Sequence, residues 1–170
     1  MHASRIARVT TVLMVISATL LSAMIPGGPV ETRDFSAYSP VILGSFNTFL
    51  TLLGLLSYGT AWFTWRRQRW ALICASLCGA GYFMVYAADL VQLFPQSPIA
   101  MPAALLVMEV IGLVLAVPLL ILPLLIKADG GPQQGYLVHH SRNLYLSAIA
   151  VFCVVVAIVA FATISAMGSK

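Results

Sequence analysis

Apolar runs dominate this chain. Val9–Ile25, Val41–Trp65, Ala71–Phe94, Pro102–Ile126 and Leu144–Met167 each approach or exceed the length needed to cross a membrane, about 20 helical residues for a hydrocarbon layer roughly 30 Å thick. Inside lipid every backbone N–H and C=O must be paired, which leaves helices or closed barrels. These runs show no strict apolar/polar alternation of the kind that marks barrel strands. The chain is therefore expected to be all-α: a polytopic transmembrane bundle of five helices forming one integral membrane domain over residues 1–170.

Composition removes the soluble alternatives. Hydrophobic residues make up 61% and charged residues 8% of the sequence, whereas soluble domains carry about 25% charged residues. No stretch remains for a separate soluble domain or a nucleic-acid-binding surface. The expected partners are the lipid bilayer and other membrane protein subunits, with no nucleic acid.

The first segment admits two readings. Arg5 and Arg8 ahead of an apolar run ending in "LLSAM" fit a secretory signal cleaved near Ser22 or Ala23, which would leave four helices. The run is longer than the usual 7–15 residues of such signals, which favours a retained helix.

Punctuation supports the segmentation. Ser39-Pro40 and Ser97-Pro98 suit helix starts, because proline's fixed φ and missing N–H are harmless in a first turn. Pro26-Gly27-Gly28-Pro29 and Gly130-Gly131-Pro132 cannot continue a helix. Pro118 and Pro123 are expected to bend the fourth helix by removing backbone donors and crowding the preceding turns.

Flanking charge gives an orientation, since a Lys/Arg excess marks the cytoplasmic side. Arg5, Arg8, Arg66, Arg67, Arg69, Lys127 and Arg142 fall on one side, and Arg33 and Lys170 on the other. The N-terminus is expected in the cytoplasm and the C-terminus outside, in a bacterial plasma (inner) membrane. Trp65 and Trp70 bracket "RRQR" at the inner interface.

Several chemistries find no support. Cys74 and Cys78 are one helical turn apart, a spacing of about 5–6 Å between Cβ atoms, too wide for a disulfide at roughly 3.5–4.5 Å. Ala71, Ala75 and Gly79 instead form a small-residue ridge suited to close helix packing. His2, His139 and His140 lie outside the apolar spans, so histidine offers no axial haem ligand within the bundle. The His139-His140 pair near Asp129 reads as a solvated loop, and Met84, Met101 and Met108 read as packing residues rather than a copper site. No phosphate loop, nucleophile elbow or H-E-x-x-H motif occurs. No cofactor or metal is expected, and no catalytic residue is assigned.

The polar residues are more informative. Asn47, Thr51, Gly54 and Tyr58 share one face of the second helix, and Tyr82, Tyr86, Asp89 and Gln92 share one face of the third. Glu109 shares its face with Gly112 and Ala116. Counted inward from the outer helix ends at about 1.5 Å per residue, Asn47, Asp89 and Glu109 fall at similar depth. Short turns make helices two and three, and three and four, antiparallel neighbours. A carboxyl at the centre of a membrane helix costs about 2.5–3.5 kcal/mol and nearly always faces the bundle interior or a wet cavity. Asp89 and Glu109 are therefore expected to meet, joined by Asn47 or Tyr86, with Arg33 of "ETRDF" as counter-charge.

Such a cluster is either interhelical glue or a site for a ligand, ion or proton. The corresponding functions are an accessory, assembly or interaction subunit of a membrane complex, and a small binding or transport protein using the outer cluster for a cation, proton or small polar ligand. A third is an intramembrane enzyme acting on a lipid or quinone, with Asp89 or Glu109 as acid or base.

Overall fold

The structure, a computed structural model, describes residues 2–125 and 142–167. Ile126, Lys127, Asp129, Gly130-Gly131-Pro132, His139, His140 and Lys170 lie outside the described residues. Within them the chain is helical, without strands: α1 (His2–Ala23), α2 (Pro40–Trp65), α3 (Arg69–Leu90), α4 (Ala103–Ile121) and α5 (Arg142–Ala166). Each contains a stretch long and apolar enough to cross a membrane.

Helix boundaries follow local chemistry. Ser39 caps α2 by accepting the Ile42 N–H at 3.3 Å, with Pro40 in the first turn. At its far end Arg67 takes φ 58°, its N–H reaches Thr64 O and that of Gln68 reaches Phe63 O. This is a Schellman motif, which turns the chain sharply towards α3. The same device ends α3: Gln92 has φ 54°, its N–H reaches Asp89 O and the Leu93 N–H reaches Ala88 O, each at 2.8 Å.

Two expectations are corrected here. The third helix stops at Leu90 rather than Phe94, because the Schellman turn intervenes within a still apolar stretch. Ser97-Pro98 does not start a helix. Ser97 Oγ accepts the Ile99 N–H at 3.2 Å and donates to Asp34 O at 2.9 Å, which ties the turn to the α1–α2 connection. Pro102 stands at the N-cap of α4 instead. That helix continues through Pro118 and tightens into a 3-10 turn at Leu122–Leu125, which includes Pro123.

The helices pack around α1–α4. Helix α3 lies between α2 and α4, α1 lies against α2 and α4, and among the described helices α5 packs on α2 alone. In lipid the association of helices rests on close packing rather than on exclusion of water. The small-residue ridge of α3 supplies it: Ala71 and Ala75 are fully buried, and a Cβ on Gly79 would stand 2.6 Å from Leu120 N. Only glycine permits the backbones of α3 and the α4 terminus to approach so closely. Several hydroxyls within the spans bond to their own helix, as Thr51 Oγ1 to Asn47 O and Ser57 Oγ to Leu53 O, both at 2.7 Å, whereas those of Thr10, Ser17 and Ser76 are buried without a partner. Tyr82 then donates to Ser57 at 2.8 Å, linking α3 to α2. All three cysteines are free.

The bundle has chemically distinct ends. Arg5, Arg8, Arg66, Arg67 and Arg69 stand at the end where α1 begins and α2 turns into α3. Glu31, Asp34, Asp89 and Glu109 stand at the opposite end, together with Arg33.

Candidate functional site

The connection between α1 and α2 folds back into the carboxylate end of the bundle and delivers Arg33 between helices. Its guanidinium uses two faces. Nη1 and Nη2 donate to Asp89 Oδ1 and Oδ2, both at 2.7 Å. Nε donates to Glu31 Oε1 at 3.0 Å and Nη2 to Glu31 Oε2 at 2.6 Å. Such paired forks match the planar guanidinium to planar carboxylates. Nη2 also lies 3.9 Å from Glu109 Oε1, so one nitrogen faces all three acids. The Phe35 ring is beneath the cation, 5.1 Å from Cζ to the ring centre. All four charged residues are buried.

Each member is held by a local feature. Asp89 occupies the last turn of α3, where the Schellman motif fixes its backbone carbonyl. Glu109 lies in the second turn of α4, and Tyr86 packs beside it on Gly112, where an added Cβ would meet Cε2 at 2.5 Å. Glu31 and Arg33 are two apart in the α1–α2 connection, and their side chains meet there. The Arg33 N–H also reaches Glu31 Oε1 at 3.0 Å, closing that segment on itself.

Burial works against the charge of Arg33. The hydrogen bonds to Asp89 and then to Glu31, with their negative charge, outweigh it and hold the guanidinium above its ordinary range. Arg33 is thus a fixed positive charge. Three carboxyls share it, so the full set would carry two uncompensated negative charges if every acid were ionised.

The least compensated acid is Glu109. Its Oε2 is buried without a hydrogen-bond partner, as is the Tyr86 hydroxyl. Both residues line one cavity of about 50 Å³ with Glu31, Arg33, Asn47 and Asp89. A space of that size exceeds the roughly 10–15 Å³ needed for one water. Arg33 also lines a polar recess of about 310 Å³ with Gln92, Gln96 and Ser97. The guanidinium therefore stands between the inner cavity and the recess at the bundle end.

Of the sequence-derived candidates, Arg33, Asp89 and Glu109 converge as expected, with Arg33 rather than Asn47 or Tyr86 joining the acids. Tyr86 lies beside them on the cavity wall. Asn47 lines the same cavity, but its Nδ2 donates to Thr163 Oγ1 of α5 at 3.1 Å and makes no bond to the acids. The polar face of α2 mainly lines a separate groove of about 80 Å³, which Asn47, Thr51, Gly54 and Tyr58 share with α1 and α5. Glu31 was not singled out from the sequence, although its place two residues before Arg33 was the available signal. Among the described residues no group of three His, Cys, Asp or Glu side chains is arranged to hold a metal ion.

Residues 6–135 match the family described as Domain of unknown function (DUF8051), and the chain belongs to it. No curated protein and no solved structure matches the chain.

Proposed function

We propose that this member of the family is a small membrane-binding-site protein whose cluster takes up one positive charge at Glu109, either a proton or a small monovalent cation. The observation that carries the reading is the pair of buried oxygens without partners, Glu109 Oε2 and the Tyr86 hydroxyl, facing one cavity beside an under-compensated set of acids. Buried charge that lacks a counter-ion costs several kcal/mol per ion, so an added positive charge is favoured there. The absence of a three-ligand grouping among the described residues argues for a proton or monovalent ion over a transition metal. The arginine excess orients the protein with the carboxylate end outward in a plasma membrane, so the charge enters from outside through the recess above Arg33.

The accessory-subunit reading draws support from α5, which among the described helices packs on α2 alone and presents Phe152, Val154 and Phe161 outward. Lipid covers such a face equally well, so the charge cluster is the more informative feature.

The test uses the protein in phosphatidylcholine nanodiscs. Proton uptake during a pH titration in weak buffer, and melting temperature at fixed pH with sodium, potassium or choline chloride, are compared between wild type and Glu109→Gln. A sodium- or potassium-specific rise in melting temperature that Glu109→Gln abolishes assigns a cation. Proton uptake lost in the variant, with no difference between salts, assigns a proton. A variant identical to wild type in both measurements rejects the proposal.

A further inference from the structure

We infer that the arginine end carries a second site, a pocket for the phosphate headgroup of an anionic phospholipid, held by Arg8 and Arg67 beside the Trp65 ring. The pocket has a volume of about 160 Å³ and is lined by Ser4, Ala7, Arg8, Trp65 and Arg67. It lies where the first turns of α1 meet the end of α2. The Arg8 guanidinium stands over the Trp65 ring, with Cζ 5.9 Å from its centre, which orients one wall. Arg67 supplies another. Among the described residues no carboxylate lines this pocket, and two arginines do.

The backbone fixes where Arg67 stands. At φ 58° it fills the left-handed position of a Schellman motif, where glycine is the usual occupant and other residues are strained. The turn itself does not call for an arginine. Placing one there puts a second arginine on the wall of the pocket that Arg8 lines, and two arginines suit the planar, multi-acceptor geometry of phosphate.

The surroundings point to a lipid as the source. Trp62, Trp65 and Trp70 are the chain's three tryptophans, and all three are exposed at this end. Exposed tryptophan marks the headgroup level of a membrane, and basic pockets between helices at that level bind anionic headgroups.

The tryptophans also provide the readout. Wild type and variants are reconstituted in phosphatidylcholine with increasing fractions of brominated phosphatidylglycerol or brominated phosphatidylcholine, and fluorescence quenching is followed. Quenching by the brominated phosphatidylglycerol is expected at a lower mole fraction. Arg8→Gln and Arg67→Gly are each expected to weaken that preference well beyond about fivefold, the effect of roughly 1 kcal/mol that any arginine near a membrane surface contributes. Arg5→Gln, outside the pocket, should weaken it by no more than that. Arg67→Gly should also melt no lower than wild type in phosphatidylcholine, because glycine relieves the backbone strain. An equal loss in Arg5→Gln would reduce the effect to diffuse charge and overturn the site. No preference in wild type would overturn it as well, and displacement by millimolar inorganic phosphate would assign the pocket to a soluble anion instead of a lipid. Should Arg67→Gly fail to accumulate, Arg8→Gln against Arg5→Gln decides the same question.

Discussion

Arg33 and Asp89, 56 residues apart in the chain, meet end-on with both terminal guanidinium nitrogens 2.7 Å from the two carboxylate oxygens. This contact pins the α1–α2 connection onto the last turn of α3. It also places a fixed cation where Glu31 and Glu109 compete for the same charge.

That shared role predicts unequal losses. Arg33→Met leaves three buried carboxyls without their cation, and breaking a buried pair in this way costs on the order of 3–5 kcal/mol. Asp89→Asn keeps the shape and leaves Arg33 paired with Glu31, so a smaller loss is expected. Melting temperatures in a mild detergent at neutral pH compare the two. Equal losses would mean that Arg33 does not serve as the common counter-ion.

Much of this arrangement was legible in the sequence. Apolar length gave the five helices, and the cost of burying Asp89 and Glu109 gave their convergence. Hydropathy could not place the end of α3, because Val91, Leu93 and Phe94 are as apolar in a turn as in a helix. Nor could it separate Asn47 from the acids, since depth fixes a level but not a direction, and the partner Thr163 comes from the distant α5. Glu31 escaped for a related reason. A charged residue in a connecting segment reads as solvated until the segment is seen to fold inward.

Alkaline pH provides a second test of the cluster. The folded protein holds Arg33 above its ordinary range. The stability from that pairing is therefore complete below the ordinary arginine range and lost only as pH rises through the higher folded value. Arg33→Lys moves the onset of the loss down towards about 10.4, the ordinary lysine value. The gap in melting temperature between this variant and wild type should widen from about pH 9 to about pH 11.5. A constant gap would show that the cation at this position does not control stability.

The orientation is tested by reporter fusions. Fusions after Gln68, in the turn beside Arg66, Arg67 and Arg69, should report a cytoplasmic location, and fusions after Gln96 an external one. The expectation follows from the arginine excess at one end. Identical behaviour at the two positions would contradict passage of α3 through the membrane.

Gly79 and Gly112 both hold α4 close to a neighbour, but against different atoms, and this separates packing from site function. A Cβ at Gly79 meets backbone, 2.6 Å from Leu120 N. Gly79→Ala must push α3 and α4 apart, at about 1–3 kcal/mol for an overpacked contact. A Cβ at Gly112 meets the Tyr86 ring, 2.5 Å from Cε2 and 2.7 Å from Cζ. A side chain can yield where a backbone cannot, so Gly112→Ala should displace Tyr86, whose hydroxyl and ring border the Glu109 cavity. Gly112→Ala is accordingly expected to change the uptake of positive charge by severalfold, whereas Gly79→Ala lowers melting temperature and leaves uptake per folded molecule near wild type. Gly59, with nothing within 4 Å of an added Cβ, supplies the neutral comparison. Uptake measured per folded molecule in nanodiscs distinguishes the variants. If Gly112→Ala leaves uptake unchanged while Tyr86 fluorescence or labelling shows that the ring has moved, the position of Tyr86 does not govern the site.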